Sequence, residues 1–181
     1  MVTNIFFVLF LVVSVVLGTG HISIAQEPSP KDYNVIVIQD LEVPSGSPIP
    51  ESAGLLMAEK AVYQLQRYSE KYKLFEMVVR EGSKNKEIPA DRKVLIIKGE
   101  VKEYARESVG KRIGRSFIPG GGYTGTAAFT AHYQFIEKES GKVIYETDLR
   151  TSSTGGNDTV EYAMDRNGEA LAKVLIKFKS K

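Results

Sequence analysis

The chain of 181 residues is 43% hydrophobic and 25% charged, with a formal net charge of +2, no cysteine and 2 histidines. This is the size and composition of one globular domain, and it excludes a disulfide framework, a thiolate metal site, a cysteine nucleophile and an acylated cysteine anchor. The basic excess is too small, and acidic and basic residues too evenly mixed, for a nucleic-acid footprint.

Residues 5–17 are apolar apart from Ser14, which is short for a membrane span and about the length of a signal-peptide core. Small residues at Ser23 and Ala25 predict leader cleavage after Ala25, leaving Gln26 as the mature N-terminus. Residues 1–4 carry no Lys or Arg, so a retained anchor is the alternative reading. A cleaved chain is exported to a periplasmic or extracellular site, has no stable membrane span and loses His21 with its leader. Residues 26–32, with Pro28 and Pro30, read as an extended linker, and residues 33–181 as a single α+β domain.

Within that domain Val35, Ile36, Val37 and Ile38 form a β-branched run, the mark of a central strand covered on both faces. Pro44, Gly46, Pro48 and Pro50 break the chain into a loop, with Pro50 placed to open a helix. Over residues 51–72 the spacing of Leu55, Ala58, Val62, Leu65 and Tyr72 predicts an amphipathic helix, with Glu59, Lys60, Gln64, Arg67 and Glu70 off its apolar stripe. Phe75, Met77 and Val79 alternate with Glu76, Val78 and Arg80 as in a half-covered strand, and residues 81–93 form a charged connection. Residues 94–97 are apolar on both faces, and the strand is expected to leave the covered core beyond Gly99.

Residues 109–125 are the most distinctive stretch. Gly110, Gly114, Gly120, Gly121, Gly122 and Gly125 alternate with Lys111, Arg112, Arg115, Phe117, Ile118 and Tyr123. Glycine at this density opens torsions closed to other residues and lets a backbone approach a partner closely. Beyond it, Ala127, Phe129, Ala131, Tyr133 and Phe135 share one strand face, and Thr130, His132 and Gln134 the other. Ser140 and Gly141 supply a turn, and Val143, Tyr145, Thr147 and Leu149 continue the alternation against Glu146, Asp148 and Arg150. Asp158 followed by Glu161 reads as an acidic capping box. It opens a last helix with the stripe Val160, Met164, Leu171, Val174 and Phe178, and with Lys173, Lys177, Lys179 and Lys181 at the dipole's negative end. The predicted fold is a two-layer α+β sandwich: a mixed, mostly antiparallel sheet of about five strands with two helices on one face.

The chain carries no catalytic or cofactor signature. Gly110 and Gly114 lack P-loop spacing, and a strand follows them where a helix is needed. After cleavage His132 is the one histidine, which excludes a two-histidine metal site, and no nucleophile-elbow sequence supports it as a base. His132 reads instead as part of a solvated sheet face. Glu137 with Glu139, and Glu146 with Asp148, flank a turn or lie on a wet face where carboxylates are ordinary.

The apolar strand ending at Gly99, the basic middle around Arg112, Arg115 and Gly120 to Gly122, the Ser140-Gly141-Lys142 turn and the terminal helix resemble one bacterial envelope family. That family is known as domain of unknown function 4410, and the likeness spans residues 31–179. The resemblance implies an envelope compartment and this architecture, and brings no established activity. Many of that family's members look like lipoproteins, whereas this chain has no cysteine.

The leading functional expectation is a non-enzymatic envelope domain that binds a protein or envelope component through Lys111, Arg112, Arg115, Phe117, Ile118 and Tyr123, with the adjoining sheet face. Apolar groups among the glycines would serve as anchors. The second is small-anion or phosphate-ligand binding, or a phosphate-handling enzyme, at Lys111, Arg112, Arg115, Gly120, Gly121 and Gly122, through guanidinium forks and successive amides. The third is self-association through an unpaired sheet edge. None of the three calls for a cofactor, a metal or a nucleic acid.

Overall fold

In the computed structural model, residues 29–83, 87–106, 124–154 and 158–180 are described. They form five strands and two long helices: β1 (Val35–Ile38), α1 (Ser52–Tyr72), β2 (Met77–Arg80), β3 (Val94–Ala105), β4 (Thr124–Glu137), β5 (Val143–Thr154) and α2 (Val160–Lys179). The strands make one sheet in the order β2-β1-β3-β4-β5. β1 runs parallel to β2 and β3, while the long strands β3, β4 and β5 run antiparallel. Both helices pack on the same face, as the α+β reading expected.

β1 is buried along its whole length because it has a layer on each side. Ile36 and Ile38 face the helices with Leu95, Ile97 and Val101. Val35 and Val37 face the other way and join Val79 and Val94 beneath Ile88 of the β2–β3 connection. Each such side chain removed from water stabilises the fold by roughly 1.5–3 kcal/mol before chain entropy is subtracted. On β4 the expected alternation is present in full, with Ala127, Phe129, Ala131, Tyr133 and Phe135 all fully buried on the helix side. The β4–β5 turn closes where Gly141 adopts a φ of +68° and donates its amide to Glu137 O.

Several expectations shift. Residues Pro30–Asp32 of the predicted linker form a 3-10 turn capped by Ser29, and Lys93 holds Asp32 at 3.1 Å. Pro50 lies one residue ahead of the N-cap Glu51 and accepts the Ala53 amide. The buried face of α1 is rotated from the predicted stripe: Leu55 is 40% and Tyr72 48% exposed, whereas Gln64 is 3% exposed. The cause is the second helix. α1 presents Ala53, Gly54, Met57, Ala58 and Ala61 to its neighbours, and small residues let the backbones come close. A Cβ built on Gly168 of α2 lies 3.1 Å from Lys60 O of α1, and one on Gly54 lies 1.8 Å from Leu41 O. Gln64 is tolerated inside because its amide donates to Asp165 on α2 while its oxygen accepts from Arg67.

β2 is likewise out of phase with its prediction. Val78 packs into the main core, and Val79 and Met77 lie on the opposite face. The parallel register Ile36↔Val78 places each β2 residue on the same side as its β1 partner. β3 also stays covered beyond Gly99, because Val101 is fully buried and Tyr104 packs edge-on against Phe129. An irregularity between Val101 and Glu103 makes this continuation work: it inserts one residue and returns Tyr104 to the helix side. At α2 the N-cap is Thr159, whose hydroxyl accepts the Tyr162 amide, in place of the predicted Asp158.

Candidate functional site

The face of β3, β4 and β5 away from the helices is polar. Its residues stand in three cross-strand rows: Lys98–Gln134–Glu146, Glu100–His132–Asp148 and Glu103–Thr130–Arg150. Directly opposed side chains of unlike charge or complementary hydrogen bonding stabilise a sheet by roughly 0.2–1 kcal/mol per pair. Here each row holds at least one joined pair. Gln134 donates to Glu146 at 2.9 Å, His132 Nδ1 lies 2.9 Å from Asp148 Oδ1, and Thr130 donates to Glu103 at 2.7 Å. Arg150 reaches across from β5 to Glu103, with Nε 3.0 Å and Nη2 3.4 Å from its two oxygens. The Arg150 hydrogen bond, then that from Thr130, holds the Glu103 carboxyl below the usual carboxylate range.

The inserted residue in β3 decides which charge takes part. Without it Lys102 would oppose Thr130; with it Glu103 does, and Lys102 turns to pair with Glu100. Gly99 is required one row earlier, because a Cβ there would sit 2.1 Å from His132 O on β4. Above the short β1, Glu42 extends the sheet by donating its amide to Gly99 O and accepting that of Val101, both at 2.8 Å. A shallow groove follows, edged by Glu42, Lys98, Glu100, Lys102, His132 and Asp148.

Chemically this face suits recognition by distributed charge. The hydroxyl of Thr130, next in line to His132 on β4, is engaged with Glu103. Among the described residues, no three His, Cys, Asp or Glu side chains are placed to hold a metal ion. The two carboxylate pairs considered from sequence are resolved into separate partnerships: Glu146 with Gln134, Asp148 with His132, and Glu137 with Ser140 and Tyr33. Burial first, and then Glu137, pushes the Tyr33 hydroxyl up to about 12.

Lys111, Arg112, Arg115, Phe117, Ile118, Gly120, Gly121, Gly122 and Tyr123 all lie outside the described residues, so the structure brings none of them to a defined position. What it defines is the pair of strand ends on either side. β3 and β4 are antiparallel neighbours, with Ala105 opposite Ala128 and Arg106 over the Tyr104 ring at 5.9 Å. Asp158 and Ser153, both buried, accept the Ala127 amide at 3.0 and 3.2 Å. Ser153 also donates to Asp158. This cluster ties the start of β4 to the end of β5 and to the residue just ahead of the α2 N-cap. Asp158 thus serves as a tertiary anchor, and the sequence signal for it, an acidic residue ahead of a helix, resembles a cap.

The C-terminal lysines also divide by role. Lys173 pairs with Glu169 one turn earlier at 2.7 Å, and Lys177 lies in the last turn as expected. Lys179 instead folds back, donating to Tyr33 O at 2.8 Å and Leu74 O at 2.7 Å, with its ammonium 4.7 Å above the Phe75 ring. Burial pushes its pKa below the ordinary lysine value.

Among solved structures, the chain is similar to a PelC dodecamer from Paraburkholderia phytofirmans, with a TM-score of 0.52, 12% identity and coverage of 82% of this chain and 90% of that one. A Xanthomonas campestris protein of domain-of-unknown-function family 330 gives 0.47 at 10% identity, covering 83% and 86%. A minor lipoprotein from Acinetobacter baumannii gives 0.40 at 14% identity, covering 82% and 94%. No family model matches the chain, and no curated protein does either, so the likeness to family 4410 rests on its sequence motifs alone. What the first of these structures shares with the chain is the fold.

Proposed function

We propose that the chain is a non-enzymatic, exported envelope domain that binds a protein partner through the glycine-rich cationic segment and the polar sheet face of β3–β5. The observation that carries this reading is the asymmetry of the sheet. One face is sealed by α1 and α2, and the other, along its three long strands, presents three cross-strand rows of charged and amide groups with no helix over them among the described residues. Such rows fix polar groups in a defined register, and a partner of complementary charge would meet a rigid surface. The segment carrying Phe117, Arg112 and Arg115 springs from the same strands, so anchors and surface would act together. The apolar residues 5–17 support export.

The test is photo-crosslinking in the native cell, with the crosslinker at Phe117 in one strain and at Gln134 in another, and adducts identified by mass spectrometry. A common protein adduct at both positions, lost when Arg112 and Arg115 become Ala, is the expected result. Normal export and folding without an adduct at either position overturns the reading. A melting shift on adding inorganic phosphate, in that case, would favour anion binding at Lys111, Arg112 and Arg115.

A further inference from the structure

The far edge of the sheet, remote from the β3–β5 face in strand order, carries a second binding feature. β2 is an edge strand of only four residues. Where β2 begins, the amides of Glu76 and Met77 share Asn34 O, at 2.9 and 3.5 Å, and just past its end the amide of Glu81 points inward to Ile38 O at 2.8 Å, which sets the phase of the ladder. In a parallel ladder alternate residues of one strand face the same way, so the amides of Val78 and Arg80 are directed off the sheet. The Val78 carbonyl, which also points outward, is met by the side-chain amide of Gln66 at 3.0 Å. A side chain of α1 therefore stands where a further strand would place a peptide N–H.

Between this edge and the end of α1 runs a groove of about 740 Å³, lined by Gln66, Ser69, Lys73, Phe75, Met77 and Lys179. Phe75 and Met77 provide apolar surface. Two acidic residues also border it: Glu70, and Glu76, whose charge is engaged by Arg92 at 3.1 Å. At the end where β2 begins lies the Lys179 ammonium. Two carbonyl oxygens take two of its three N–H donors, and its open side meets the Phe75 ring and the groove. Asp32 and Glu76 act on it only through longer-range attraction. A half-buried cation with carbonyl partners gains most from a carboxylate that completes its shell.

We propose that this groove binds the free C-terminus of an extended peptide. The peptide adds antiparallel to β2, replaces Gln66 at Val78 O and sets its terminal carboxylate against Lys179. The direction follows from the position of Lys179 at the start of β2, since a chain ending there runs opposite to the strand. Backbone pairing supplies the alignment, Phe75 and Met77 the apolar contact, and Lys179 the selectivity for a free carboxylate. This site is distinct from the β3–β5 face and goes beyond the proposed function.

The test uses the whole chain labelled with 15N, a library of random hexapeptides with free C-termini, and the same library with C-terminal amides. The expected result is a shift of the Val78 and Arg80 amide signals with millimolar free-acid peptide, and binding at least about tenfold weaker for the amidated form. Lys179→Met should abolish the preference for the free acid, and Lys179→Arg should restore it in part. If Lys179→Met lowers folding, the comparison of acid with amide on the unaltered chain still decides. Signals unmoved by either library, or equal response to both, overturns the proposal. Shifts that follow protein concentration without peptide assign the edge to a second copy and also overturn it.

Discussion

Gly54 is the position where local preference and packing disagree most sharply. Glycine inside a helix costs roughly 1 kcal/mol relative to alanine, so Gly54→Ala on an isolated helix would be stabilising. In the folded chain the new Cβ would lie 1.8 Å from Leu41 O, where no real Cβ approaches closer than 3.0 Å, and the obstacle is backbone. Relief requires the chain after β1 to move off α1 by at least roughly 1.2 Å. Leu41 is only 4% exposed, its amide donates to Gly54 O, and the next residue pairs with β3. Loss of Leu41 burial costs roughly 1.5–3 kcal/mol and a weakened hydrogen bond about another 1. After crediting the helical gain of about 1, the substitution destabilises by about 1.5–3 kcal/mol, or a fall in Tm of roughly 3–12 °C for a domain of this size. Urea unfolding followed by circular dichroism measures it, with Gly168→Ala as the comparison. There the closest backbone atom is at 3.1 Å and the other close neighbour is the flexible Gln64 side chain, so the change should stay within about 1 kcal/mol. A Gly54→Ala chain as stable as the parent would refute the close approach of Leu41 to α1.

Leu65 is fully buried under the sheet, so Leu65→Asp should abolish the cooperative melt seen by calorimetry. Tyr133→Phe removes the hydroxyl donated to Asn167 Oδ1 at 2.7 Å inside the core and should cost about 1–3 kcal/mol. A double-mutant cycle with Asn167→Leu should show strong coupling, because Asn167 also donates to Leu149 O at 2.9 Å. The Glu103–Arg150 pair gives a pH signature. Its folded carboxyl is held below the ordinary range, so its contribution is present above the unfolded value of about 4.3 and is lost as the pH falls through the folded one. Arg150→Met should therefore lower stability by about 0.2–1 kcal/mol at neutral pH, the scale of an exposed pair, and by nothing measurable in strong acid. Equal loss at both pH values would show that Arg150 acts by packing.

Much of the fold is legible wherever one period dominates. The four β-branched residues of β1 announce burial on both sides, and the strict alternation of β4 names its core face correctly at five positions. The misreadings occur where a neighbour distant in sequence chooses the face. Leu55 and Tyr72 fit a helical stripe, but α2 approaches α1 through Gly168 at Lys60 and Gln64, and the segment after β1 approaches it through Leu41 at Gly54, where small size matters more than hydrophobicity. Single-residue insertion in β3 leaves no trace in composition, yet it sets whether Lys102 or Glu103 faces β4. The polar face around His132 could be anticipated from alternation. The retreat of Lys179 into the fold could not, since a lysine in the last turn of a helix has an adequate local explanation.

The central position of β1 has a consequence for the order in which the chain can acquire structure. Among the described strands it is the first to be synthesised, but both its neighbours lie later, at residues 77–80 and 94–97. A ribosome adding about 5–20 residues per second takes roughly 3–12 s to advance from Ile38 to Ile97. Until residues 77–80 follow, Val35, Ile36, Val37 and Ile38 form an uncharged β-branched segment with no ladder on either side, and until residues 94–97 follow, one side stays open. Such a segment seeks any available edge, so the nascent chain is most vulnerable to aggregation before β3 emerges, and a holding factor or rapid passage into another compartment would protect it most during that window.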